Sequence, residues 1–146
     1  MYIKTITYTD YNGNKRTEKF FFNLSKAEII EMELSTEGGF AERIQSIIDA
    51  QDTPTLIAVF KDLILKSYGE KTADGRRFEK SPELSKAFSE TEAFSEMYVE
   101  LATNAKAATD FINGIVPKDI SEEAANNTSN IKVLGNINTK PADTNA

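Results

Sequence analysis

The chain has 146 residues, with 17 basic and 23 acidic side chains, a formal net charge of −6, and no Cys, His or Trp. These absences exclude disulfides, thiolate nucleophiles, Cys/His zinc sites and His-based catalytic triads. The acidic balance argues against nucleic-acid and anionic-membrane partners, and we expect no signal peptide, transmembrane span or cofactor.

A β-hairpin is predicted over residues 2–22. Residues 2–8 and 17–22 are rich in strand-forming side chains, and Asn12-Gly13 between them favours a tight turn because both residues tolerate positive φ. The turn leaves two registers open. A turn centred on Asn12-Gly13 places four side chains on one face of the hairpin: Ile3, Thr5, Phe20 and Phe22. A shift of the strand pairing by one residue groups the side chains differently.

The run Phe20, Phe21 and Phe22 is unusual for a strand. Successive strand residues point to opposite faces, so at least one of these rings points away from a single core. Such a ring either packs on a helix or belongs to an interaction surface.

Helical patterns begin at Ser25, which forms a capping-box signature with Glu28. The predicted apolar face of this first helix contains Ala27, Ile30 and Leu34, and Gly38-Gly39 ends it. The second helix is predicted to bury Phe40, Ile44, Ile47 and Ile48. The third starts at Asp52 with Pro54 in its first turn, and its apolar face contains Leu56, Ile57, Phe60, Leu63 and Ile64.

The second half of the chain contains a predicted short hairpin and further helices. Asp74-Gly75 is a turn signal, which predicts a second hairpin near residues 69–79. Ser81-Pro82 starts another helix, whose pattern pauses near residues 89–92. A continuous apolar stripe over residues 91–115 predicts one helix of roughly 37 Å, long enough for part of it to meet another chain.

The composition changes after residue 117. Residues 118–146 contain no aromatic side chain and six Asn, so we expect a flexible tail with one short apolar strip, Ile131, Val133, Leu134 and Ile137. The predicted fold class is α+β and mainly α, with an N-terminal hairpin and four to five helices. Residues 1–117 are the predicted single globular domain, with the hairpin at 2–22 and the helical part at 25–117.

Two clusters of charged residues are candidates for chemistry. Glu92, Glu96 and Glu100 share a helix face, and paired carboxylates could support a small enzyme, but a solvated helix face shows the same spacing. Arg76 and Arg77 follow the Asp-Gly turn, where they either solubilise the turn or contact an acidic partner.

Whole segments of residues 2–117 resemble the tail assembly chaperones of long-tailed bacteriophages of Gram-positive hosts. The most specific blocks are residues 65–78 and 88–117; the first contains LKSYGEKTADGRRF and the second FSETEAFSEMYVELATNAKAATDFINGIVP. The resemblance extends to the hairpin and the helix that follows it, through the segment YTDYNGNKRTEKFFFNLSKAEIIEME.

The resemblance implies a non-enzymatic, self-associating protein of the infected cell's cytoplasm that is absent from the mature virion. Such chaperones bind the tape measure protein, a long, helical and partly apolar chain, and help recruit tail tube subunits, in many phages through a frameshift-extended form. A virion structural component, such as a head-tail connector or tail completion protein, is the alternative.

The family has no catalytic motif to transfer, so the candidate partner contacts come from the physical pattern. They are the three consecutive rings, the two arginines and the stripe of the last helix. The residues are Phe20, Phe21, Phe22, Arg76, Arg77, Phe94, Met97, Tyr98, Leu101, Phe111 and Ile112.

Overall fold

The computed structural model describes residues 1–117, in which a four-stranded antiparallel sheet packs against helices. The strands, in the sheet order β1-β2-β3-β4, are β1 Tyr2–Thr9, β2 Lys15–Phe22, β3 Tyr68–Lys71 and β4 Phe78–Glu79. The helices are α1 Lys26–Ser35, α2 Phe40–Asp49, α3 Thr53–Ser67, α4 Pro82–Ser89, α5 Glu92–Thr103 and α6 Ala105–Ile115. The predicted α+β, mainly helical fold is confirmed. The predicted flexible tail, 118–146, lies outside the described residues.

The first hairpin adopts the slipped register. Tyr2 pairs with Phe22 and Thr9 with Lys15, so the even-numbered residues of both strands share one face. The turn sets this register. The backbone N–H groups of Asn12 and Asn14 donate hydrogen bonds to the Asp10 carboxylate, and Gly13 adopts a φ of 86°. Gly13 therefore occupies the left-handed position at the end of a three-residue loop. This loop shifts the strand pairing by one residue relative to a turn centred on Asn12-Gly13.

The second hairpin forms as predicted and extends the sheet. Phe21 pairs with Gly69 and Phe22 with Tyr68, so β3 continues the sheet beside the end of β2. Gly69 is required by close packing, because a Cβ atom there would lie 2.6 Å from the Phe78 ring. Aromatic packing thus joins the two hairpins.

The predicted helix starts are confirmed at three caps. Ser25 accepts a hydrogen bond from the Glu28 N–H, and the Glu28 carboxylate accepts one from the Ser25 N–H. Asp52 caps α3 and Ser81 caps α4, each followed by Pro in the first turn. These ends are set by local hydrogen bonds, so the sequence alone places them.

The predicted apolar face of α1 is wrong. Ile30 is 55% exposed and Leu34 is 80% exposed, whereas Met32 is buried and Ile29 packs partly against the core. Both pairs have helical spacing, so the pattern fits either face. The packing of Met32 decides the orientation of α1.

The predicted continuous helix over residues 91–115 is also wrong, because it breaks at Asn104. Asn104 has φ −132° and ψ 105°, and its side chain accepts a hydrogen bond from the Ala107 N–H. The Thr103 hydroxyl donates to the Val99 carbonyl just before the break. The segment therefore forms α5 and α6, which pack against each other, and the described residues contain six helices.

An aromatic cluster lies in the core between the inner sheet face and the last three helices. Phe88 of α4 stacks on Tyr68 with ring centroids 4.3 Å apart and contacts Phe22 at 5.7 Å. Phe111 of α6 contacts Phe22 and also meets Tyr2 edge to face at 5.3 Å. Phe22 and Phe111 are fully buried, so they link the first hairpin to the last helix.

Candidate partner-binding surface

The stripe predicted for partner binding lies mostly in the core. Met97 and Phe111 are fully buried, Leu101 is 4% exposed and Phe94 is 9% exposed. α5 packs against β1, and the break at Asn104 lets α6 return to α5 and the sheet, which buries Phe111. These four side chains stabilise the fold and leave almost no apolar surface open to solvent.

Two other stripe residues, Tyr98 and Ile112, are half-buried and pack against the core. The Tyr98 ring stacks on Phe94, with centroids 5.7 Å apart. Of these stripe residues, only Tyr98 and Ile112 therefore expose an appreciable part of their side chains to a partner.

The three consecutive rings divide between the two faces of the sheet. Phe20 and Phe22 lie on the inner face and contact Phe88. Phe21 lies on the outer face, where it pairs with Ile3 of β1 and is half-buried. The prediction that at least one of the three rings points away from the core is therefore confirmed, and that ring is Phe21.

The outer sheet face, defined by Ile3 and Phe21, is open to solvent. Ile3 is 52% exposed. The other outward residues of β1 and β2 are also exposed, and apart from two lysines they are threonines: Thr5, Thr7, Thr9, Lys15, Thr17 and Lys19. Ile3 and Phe21 therefore form an apolar pair bordered by polar side chains on this face.

The turn with the two arginines is built rigidly by its own hydrogen bonds. The Asp74 carboxylate accepts hydrogen bonds from the Arg76 N–H and the Thr72 hydroxyl, and these bonds hold the pKa of Asp74 below its ordinary value. Arg76 and Arg77 are both exposed, and the Arg77 guanidinium lies 3.0 Å from the Glu79 carboxylate. The turn therefore projects two cations from an acidic protein.

A third exposed feature, on α1, was assigned to the core by the sequence pattern. Ala27, Ile30 and Leu34 share the outward side of α1, and we call them the α1 stripe. The only sequence signal for this arrangement is that α1 carries apolar residues on two sides, with Ile29 and Met32 opposite the stripe.

The helix with the stripe is anchored at its first turn. The Lys80 ammonium donates hydrogen bonds to both Glu28 carboxylate oxygens, at 2.7 and 2.8 Å, and to the Asn23 carbonyl. Burial raises the pKa of Glu28, but the hydrogen bonds from Lys80 and Ser25 outweigh it, so the net pKa is lowered. The stripe is thus presented by a fixed helix.

The three carboxylates of α5 do not converge on a reaction centre. Glu92 accepts a hydrogen bond from the Tyr11 hydroxyl at 2.8 Å, Glu100 pairs with Lys4 at 2.6 Å, and Glu96 is exposed. A cleft of about 310 Å³ between β1 and α5 is lined by Lys4, Thr5, Ile6, Thr7, Glu96, Met97 and Glu100. Within residues 1–117 no cluster of acidic side chains is arranged to hold a metal ion.

The described residues present exposed apolar side chains on α1 and on the outer sheet face, and two exposed arginines on the turn between β3 and β4. No helix in this part of the chain is long and apolar enough to span a bilayer. A family model described as "phage tail assembly chaperone" matches residues 1–145, so the chain belongs to that family. Neither the curated proteins nor the solved structures include a match.

Proposed function

We propose that this chain binds the tape measure protein of a long-tailed phage, keeps it soluble, and helps recruit tail tube subunits around it. It acts as a homo-oligomer by reversible binding rather than catalysis, in the cytoplasm of the infected cell, and leaves before the virion matures. Membership of the tail assembly chaperone family supports an assembly role. The open outer sheet face is the structural observation that carries the proposal.

The outer sheet face suits a weak and repeated contact. Ile3 and Phe21 form a small apolar patch, and each buried Å² of apolar surface contributes roughly 25 cal/mol, so a single copy would bind weakly. Many copies along one long helical partner would cover its apolar stripe by multivalent binding. Weak individual contacts would also let tube subunits displace the chaperone.

The charge of the chain fits the same role. Residues 1–117 hold 14 basic and 19 acidic side chains, a net charge of −5 for the described part of the chain. An acidic coat around an apolar partner keeps the complex soluble through like-charge repulsion between complexes. Arg76 and Arg77 are the exposed cations that we assign to an acidic patch on the partner.

Co-expression tests this proposal directly. The tape measure protein is expressed alone, with the full chain, and with residues 1–117, and its soluble fraction is measured. We expect the tape measure protein to be insoluble when expressed alone, and to be soluble and co-purify with the full chain when the two are expressed together. A tape measure protein that stays insoluble with the full chain would contradict the proposal.

The alternative virion component makes a different prediction. A head-tail connector or tail completion protein would remain in purified particles, whereas an assembly chaperone would be absent from them. Mass spectrometry of purified particles should therefore find the tape measure and tube proteins without this chain.

A further inference from the structure

Strand alternation sorts the charges of the sheet by face. The register places three lysines on the outer sheet face, whereas every acidic strand residue lies in the opposite rows; the lysines are Lys15, Lys19 and Lys71, and the acids are Glu18, Glu70 and Glu79. The lysines are exposed, and within residues 1–117 none of them forms an ion pair. The outer sheet face is therefore cationic, although the described chain is acidic as a whole.

An apolar row crosses the same face from strand to strand. Ile3 pairs with Phe21, and Phe21 pairs with Gly69. The Phe78 ring covers Gly69, since a Cβ atom on Gly69 would lie 2.6 Å from it. The row of Ile3, Phe21 and Phe78 thus extends from β1 to β4, which is about 14 Å for four strands spaced about 4.8 Å apart.

Two of the lysines lie in the next row along the strands. Lys19 and Lys71 are each two residues from the apolar row, at Phe21 and Gly69, a distance of about 7 Å along the strand. An α-helix laid on the apolar row covers it with roughly nine residues, and its side chains extend about 5–6 Å from the helix axis. Side chains on the flank of such a helix therefore reach Lys19 and Lys71.

We propose that the outer sheet face selects amphipathic helices that carry Asp or Glu along one flank of their apolar stripe. The stripe packs on Ile3, Phe21 and Phe78, and the acidic flank pairs with Lys19 and Lys71. A two-fold contact between two copies of this face is disfavoured, because it would bring two cationic surfaces together. The inference rests on the proposed function for the identity of the partner, and it specifies which helical segments of that partner bind.

Two synthetic helical peptides test this selectivity. They share one leucine stripe, and one peptide carries Glu and the other Lys along the same flank. The affinity of the full chain for each is measured by fluorescence anisotropy. We expect the Glu peptide to bind about tenfold more tightly, because ion pairs with two lysines replace two like-charge contacts. The overall acidity of the chain predicts the opposite preference, since it attracts the Lys peptide.

Lys19→Glu with Lys71→Glu should reverse the preference of the chain for the two peptides. Circular dichroism should show an intact fold, because both lysines are exposed and have no ion pair within the described residues. Lys61→Glu with Lys66→Glu makes the same charge change on exposed residues of α3 and is the matched control. This control should keep the preference for the Glu peptide.

Tighter binding of the Lys peptide by wild type would overturn the inference. A preference for the Glu peptide that survives Lys19→Glu with Lys71→Glu would also overturn it. So would the absence of binding by either peptide, and an oligomer that Phe21→Glu dissociates would then assign the face to a second copy.

The peptide result is separate from the co-expression result, because neither peptide contains tape measure sequence. A tape measure protein that the chain keeps soluble, together with peptides that show no preference, would refute this inference alone. An insoluble tape measure protein, together with the expected peptide preference, would refute the proposed function and leave the selectivity of the face standing.

Discussion

At the scale of single residues, the run of three phenylalanines shows how strand alternation divides similar side chains between core and surface. Phe22 is fully buried among aromatic rings, whereas Phe21, one residue earlier, is half-buried on the outer sheet face. The two positions have the same side chain and the same strand propensity, so their difference in burial alone should determine their effect on stability.

The variant Phe22→Ala should lower the free energy of unfolding by about 3–5 kcal/mol, because it leaves a cavity among packed rings. Phe21→Ala is the matched control and should cost about 1 kcal/mol, since its ring is only partly removed from water. Urea titration followed by circular dichroism measures both. Equal losses for the two variants would show that the register of the hairpin is wrong.

The Glu28–Lys80 pair gives a pH prediction with a defined sign. The pKa of Glu28 is lowered in the folded chain from its ordinary value of 4.5, as hydrogen bonds from Lys80 and Ser25 outweigh burial. As the pH falls, the unfolded chain therefore binds this proton first. The stabilisation is complete above pH 4.5 and is lost as the pH falls through the lower pKa of the folded state.

Lys80→Met should remove this contribution, at a cost of about 1 kcal/mol at neutral pH. The gap in unfolding free energy between wild type and variant should narrow from about pH 6 to about pH 3. Lys86→Met breaks an exposed ion pair with Glu90 and serves as the control, with little expected effect. A Lys80→Met gap that is independent of pH would count against the lowered pKa.

At the scale of elements, the break between α5 and α6 decides which residues form the core. Asn104 supplies the N-cap of α6, and the resulting turn brings Phe111 and Ile115 into the core with Met97 and Leu101. A single long helix would carry the second half of the stripe away from the sheet. The cap therefore determines the tertiary structure as well as the local one.

Asn104→Ala should destabilise the protein by about 1 kcal/mol, because the Ala107 N–H loses its acceptor at the start of α6. Asn113→Ala, at an exposed position within α6, is the matched control and should be neutral or slightly stabilising, since Ala favours helix. Thermal unfolding compares the two. A stable Asn104→Ala variant with increased helix content would indicate that the break is not needed.

The elements also show what sequence can and cannot predict. The caps at Ser25, Asp52 and Ser81 and the existence of both hairpins depend on neighbouring residues, so local sequence predicts them, whereas the register of the first hairpin also depends on the loop geometry. The side of α1 that faces the core depends on contacts far away in sequence. The break at Asn104 was hidden for a related reason, because the apolar spacing continues across it and only the return of α6 to the core reveals it.

The candidate site was predictable only in part. Arg76 and Arg77 are exposed on their turn, and one of three rings, Phe21, points away from the core. Met97 and Phe111 belong to an apolar stripe with helical spacing, and a core face and a docking surface both show such a stripe. Pattern alone cannot distinguish the two without knowing which faces pack.

At the scale of the whole molecule, the sheet is covered on one face and open on the other. The helices α4, α5 and α6 pack on the inner face through Phe88, Met97 and Phe111. The outer face keeps Ile3 and Phe21 accessible, an arrangement that antiparallel sheets tolerate because one face can be solvated. The proposed function therefore assigns the partner to the face of the sheet that the helices leave open.

Binding of tape measure fragments to surface variants tests the central claim most directly. Ile3→Glu with Phe21→Glu places charge on the outer sheet face, and Val99→Glu changes an exposed aliphatic residue of α5 as the control. Circular dichroism first confirms that both fold. Pull-down should recover fragments with wild type and Val99→Glu, and lose them with Ile3→Glu and Phe21→Glu. Undiminished recovery by the double variant would contradict the assignment of this face.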